Sequence, residues 1–120
     1  MRTDFIRPST DAVLGDQPMP VIFEAAGLYF RSILLAHAGH VVPQHVHDHP
    51  HATLVASGAA RGWSGNACLG DRVAGEAFEI EAGSDHTFMA LEDGTRLVCV
   101  HDVASAESVK AKEAACRSAG

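Results

Sequence analysis

The chain is short of the residues that mark several common roles. It has three cysteines, Cys68, Cys99 and Cys116, an odd number with no C-x2-C pair among them. That argues against a disulfide framework or a thiolate zinc site and leads us to expect reduced thiols in a cytoplasmic protein. No run of roughly eighteen apolar residues occurs, so no segment has the make-up of a membrane-spanning helix. Met1 to Pro8 carries charge and lacks the apolar stretch of a secretory signal. Positive charge is scarce, with 9 Lys and Arg against 15 Asp and Glu, and the net charge of −6 offers no electrostatic footprint for nucleic acid. There is no internal repeat. A chain of 120 residues, 47 % hydrophobic and 20 % charged, has room for one core, so residues 1–120 are expected to form a single domain.

Histidine, by contrast, is plentiful, with 8 residues, and three of these are grouped as His45, His47 and His51 in the pattern H-x-H-x3-H. Residues i and i+2 of a strand face the same side, so the rings of His45 and His47 converge if that segment is extended. Asp48, His49 and Pro50 have turn chemistry, which would return His51 beside His47 on a neighbouring strand. A fourth histidine, His86, follows Gly83, Ser84 and Asp85, a second turn signal. Neutral imidazole is the commonest protein ligand for first-row transition metals, and His45, His47, His51 and His86 are the candidate ligands. A solvated histidine loop is the competing reading of His45 to His51. His37, His40 and His101 read as structural or surface residues.

The flanks of these histidines carry a family resemblance. Gly39, His45, His47 and Gly58 match the first cupin motif, G-x5-H-x-H-x3,4-E-x6-G, with His51 in the place of the glutamate. Gly75, Gly83 and His86 match the second, G-x5-P-x-G-x2-H-x3-N, with Glu81 at the proline position and Ala90 at the asparagine position. Both spacings hold without a gap, and the resemblance spans about residues 28–103. It implies an all-β cupin-type double-stranded β-helix, or jelly-roll barrel, with one divalent metal ion per chain and commonly a homodimer. It says little of the substrate, because cupins include oxygenases, isomerases, lyases, decarboxylases and non-enzymatic binding proteins.

The strand pattern agrees with such a barrel. Apolar and β-branched runs at 21–24, 29–37, 52–57, 60–63, 77–81, 86–91 and 96–103 are separated by Gly, Pro and Asp. Loops are expected at Gly58, Gly65-Asn66, Gly70-Asp71, Gly83-Ser84 and Asp93-Gly94. Residues 1–20 read as an extended arm, and 104–120 as either a short helix or a frayed tail. Parity places Thr53, Val55 and Ser57 inside with His51, and Phe88 and Ala90 inside with His86. The last strand is apolar on both parities, so either Cys99 and His101 or Val98 and Val100 face in. In the first case His101 is a candidate acid or base.

Four neutral imidazoles leave the full charge of a divalent ion in place, which favours an anionic ligand at the open positions. Six-coordinate Fe, Mn, Ni or Cu retains two such positions, whereas tetrahedral Zn would be saturated. The expected function is therefore a dioxygenase-type oxygenase acting on a small organic anion. The alternatives are a lyase or isomerase using Lewis-acid chemistry and a non-enzymatic metal or ligand sensor. No Tyr, Lys or Glu is firmly placed as a base by the sequence, which weighs against the lyase or isomerase.

Overall fold

A computed structural model describes residues 20–43 and 50–102. The expected arm and tail, and with them His45, His47, Asp48 and His49, lie outside the described residues. The described residues form nine strands: β1 Val21–Ala25, β2 Leu28–Leu35, β3 Val41–Pro43, β4 His51–Ser57, β5 Ala59–Ser64, β6 Ala67–Val73, β7 Ala77–Ile80, β8 His86–Ala90 and β9 Thr95–Asp102. They form a five-stranded sheet ordered β1-β2-β9-β4-β7 and a four-stranded sheet ordered β3-β8-β5-β6. All pairings are antiparallel. Among the described residues no helix is long and apolar enough to cross a membrane.

The core lies between the inner faces of the sheets. Ile33, Leu35, Val55, Phe78, Ile80 and Leu97 from the larger sheet meet Val42, Ala60, Phe88 and Ala90 from the smaller one. Phe78 and Phe88 stack at a tilt with 5.0 Å between centroids, in the range favoured by aromatic pairs. Gly62 lies beneath them, where a Cβ would sit 2.8 Å from Phe78 Cε1, so only glycine lets both rings approach the strand. Trp63, Val41 and Thr87 are also fully buried, but on the opposite parity from Gly62 and Phe88. Trp63 thus belongs outside the inter-sheet cluster.

Two strands escaped the sequence pattern. β3 is only three residues long, and β6 includes Gly70 and Asp71, which read as a loop. Asp71 instead pairs with Arg61 across the ladder, its carboxylate accepting from Nε at 2.6 Å and Nη2 at 2.9 Å. That bidentate contact holds the carboxyl below its ordinary pKa, the Arg61 hydrogen bond outweighing the opposing effect of burial. Gly70 falls beside a register shift between Gly62 and Trp63, where a bulge accommodates its φ of 95°. Ser57 also departs from expectation. The register slips between Val55 and Ser57, and the Ser57 hydroxyl donates to the Gly94 carbonyl at an exposed position instead of pointing inward.

Candidate metal and ligand site

Two of the four candidate ligands are described, and they come from different sheets. His51 opens β4 and His86 opens β8, and both are buried. Their rings face each other with 4.9 Å between centroids. The Nδ1 of His86 lies 3.0 Å from the Ser84 carbonyl oxygen. A carbonyl only accepts, so Nδ1 carries the proton and the buried Nε2 keeps its lone pair. Asp85 is exposed, and its backbone carbonyl accepts from Gly65 N–H at 2.7 Å, a turn role. Among the described residues no three potential ligands stand together.

Strand register shows what surrounds the pair. Thr53 is opposite Cys99, and Thr53 Oγ1 approaches Cys99 Sγ to 3.5 Å, so both point to the same side. That side is the interior, because Thr53 is also opposite the core residue Phe78. Cys99 and His101 therefore face in, which settles the parity that the sequence left open. Extending the pairing of Ala52 with Val100 by one residue sets His101 next to His51, with about 5 Å between neighbouring Cα atoms. On the other side of β9, Tyr29 is opposite His101 and Arg31 is opposite Cys99. Tyr29 stacks on His101 with centroids 4.8 Å apart.

The inner face of the larger sheet is thus graded along the strands. Ile33, Leu35, Val55 and Leu97 fill one end. The other end holds Tyr29, His101 and His51 in one row, with Arg31, Cys99 and Thr53 in the next. The polar rows lie at the end where His86 enters from the opposite sheet. Burial pushes the Cys99 thiol above its ordinary pKa, while the Thr53 hydrogen bond and the positive charge of Arg31 offset part of that rise. His101 Nδ1 lies 3.0 Å from the Asp102 carbonyl oxygen, which fixes its proton there.

Solved structures of similar architecture decide the fold. A cupin-2 domain protein from Shewanella frigidimarina aligns over 77 % of this chain and 87 % of its own, with a TM-score of 0.55 and 17 % identity. The fold is that of a small cupin. KdgF from Halomonas sp. is similar over 72 % of this chain and 84 % of its own, with a TM-score of 0.60 and 19 % identity. A double-stranded β-helix protein from Klebsiella pneumoniae is similar over 81 % of this chain and 82 % of its own, with a TM-score of 0.56 and 25 % identity. No family model matches the sequence, and no curated protein does.

Arg31 and the inward Tyr29 were missed by sequence reasoning. Their parity is shared with Ile33 and Leu35, so alternation along Leu28–Leu35 carried a signal. It was masked by Phe30 and Leu34, which make the outer parity equally apolar.

Proposed function

We propose that this cupin is a metal-dependent enzyme in which His45, His47, His51 and His86 hold one divalent ion, and that it oxidises a small organic anion with O2. The observation that carries the reading is the approach of His51 and His86 from two sheets, with the His86 tautomer set to offer Nε2 inward. A bound Fe, Mn, Ni or Cu ion would supply charge and open positions for substrate and O2. The chain itself does three things. The Ser84 carbonyl holds the His86 ring in place, Phe78 and Phe88 close the floor of the site against water, and Thr53 and Cys99 form its side wall.

A second reading, a lyase or isomerase, is favoured by one observation. Tyr29 and His101 lie on the inner face beside His51, and they provide the proton-transfer groups that the sequence had not placed. Elemental analysis of protein purified without chelators, followed by turnover of candidate anions with and without O2, separates the readings. About one equivalent of metal and turnover that stops without O2 support the oxygenase. Anaerobic turnover that is lost in His101→Gln supports the second reading. Metal or ligand binding without turnover of any candidate supports a sensor.

A further inference from the structure

We infer that Arg31 is the specificity anchor of this site, and that the substrate carries a carboxylate for its guanidinium in addition to the oxygen donors held beside His51 and His86. The inference rests on the proposed metal site and goes beyond it, since a metal alone asks only for an anionic donor.

The argument is one of placement and charge. Arg31 lies on the inner parity of β2, opposite Cys99, which in turn is opposite Thr53. Two strand spacings, about 10 Å between Cα atoms, separate Arg31 from Thr53. A guanidinium on a flexible stem of three methylenes can cover most of that gap. The strand pairing of Arg31 with Cys99 puts it in the polar rows, in keeping with a positive charge that lowers the Cys99 pKa. Arg31 is half-buried and makes no hydrogen bond or ion pair with another described residue. The other described arginines are engaged, Arg61 with Asp71, Arg72 with backbone carbonyls, and Arg96 with the Ser32 hydroxyl at 2.7 Å.

Among the described residues the neighbours do not supply a buried counter-charge. The inward residues of β9 and β4 around Arg31 are Cys99, His101 and Leu97, then Thr53, His51 and Val55, none of them an acid. On β1, Ile22 is opposite Arg31, and Glu24, two pairs further along and opposite Tyr29, is exposed. A half-buried guanidinium among neutral groups is costly to keep unless an anion visits it. Arg presents a planar fork suited to a carboxylate, and the stacked rings of Tyr29 and His101 occupy the neighbouring row on the inner face.

The test uses the full-length protein loaded with Co(II), whose visible absorption changes when its coordination changes. Two probes are titrated, 2-hydroxyglutarate and 2-hydroxypentanoate. They share a chelating head and chain length and differ only in the distal carboxylate. Wild-type protein should bind 2-hydroxyglutarate at least about tenfold more tightly, as expected for one charge-assisted bidentate contact. Arg31→Ala should abolish that preference while leaving 2-hydroxypentanoate binding unchanged, which also shows that the variant is folded. Arg31→Lys should restore part of it. Equal affinity for both probes in the wild type, or a preference that survives in Arg31→Ala, overturns the assignment and leaves the metal site standing. Failure of the wild-type protein to take up Co(II) overturns the metal reading and the anchor together.

Discussion

The rings of His51 and His86 meet across the two sheets at 4.9 Å, although thirty-four residues separate them in the chain. Neither strand brings the rings together by itself. The approach depends on β4 and β8 entering from opposite sheets at the same end of the fold, with the Ser84 carbonyl holding one of the rings. His86→Ala should therefore reduce bound metal from about one equivalent per chain to near none, and His51→Ala should weaken retention strongly. His101→Gln should keep its metal, because His101 sits beside the proposed ligand set and outside it. Elemental analysis after gel filtration reads all three variants. Equal loss in His101→Gln would show that His101 is itself a ligand.

Gly58 joins β4 to β5 at a φ of 74°, and a Cβ there would lie 2.8 Å from the Thr95 Cα and closer still to its hydroxyl oxygen. Thr95 cannot retreat. It is fully buried, its Oγ1 accepts from Ala59 N–H at 3.3 Å, and its hydroxyl hydrogen has the Glu92 and Ala59 carbonyls as acceptors at 2.8 and 3.1 Å. Gly58→Ala should cost at least about 2 kcal/mol and lower Tm by roughly 10 °C. Gly75→Ala has a similar φ of 93° but nothing within 4 Å, so its cost should be about 1 kcal/mol. Thermal denaturation of the two variants side by side separates crowding from backbone strain.

The fold was legible in the sequence for the same reason that these glycines matter. Gly39, Gly58, Gly75 and Gly83 of the two motifs all adopt positive φ, so their spacing encodes the turns that set strand order. Alternation gave the inner face of β4 as far as Val55, where a bulge ended the parity. Local pattern could not reveal β6, whose glycine and aspartate mimic a loop while a cross-strand ion pair with Arg61 keeps the residues in the ladder. Nor could it orient β9, since both of its faces are apolar in sequence. The pairings of Thr53 with Cys99 and of Val55 with Leu97 fix that strand, and through it Tyr29, Arg31 and His101. The candidate ligands could be named from the sequence, while the residues lining the inner face beside His51 emerged from long-range register.

β1 supplies a third prediction. It forms one edge of the larger sheet, and Val21, Ile22 and Phe23 stay 57 %, 53 % and 47 % exposed. Phe23 stacks on Phe30 with 4.7 Å between centroids on the outer face, extending the apolar surface to β2. An apolar edge open on both faces favours association. We expect light scattering to give a mass twice the 12.6 kDa of one chain, and Phe23→Glu to shift it toward the monomer while metal content is kept. A monomeric wild-type protein would refute this.

The pairing of Cys99 with Arg31 across β9 and β2 provides a test that needs no metal. Burial raises the Cys99 pKa, and the Thr53 hydrogen bond and Arg31 charge counter part of that rise. A thiol reacts as its thiolate, so site-resolved alkylation of Cys99 should be slow at neutral pH and accelerate only above the ordinary thiol range. Removing the positive charge in Arg31→Ala should move that profile to still higher pH, whereas Arg31→Lys should hold it close to wild type. The same shift has a stability consequence. With the folded pKa above the unfolded one, the neutral thiol's contribution is fully present below the unfolded pKa and is lost as pH rises through the folded pKa. Chemical denaturation at alkaline pH should thus show wild type losing stability relative to Cys99→Ser. An alkylation profile unaltered by Arg31→Ala would place the guanidinium away from the inner wall.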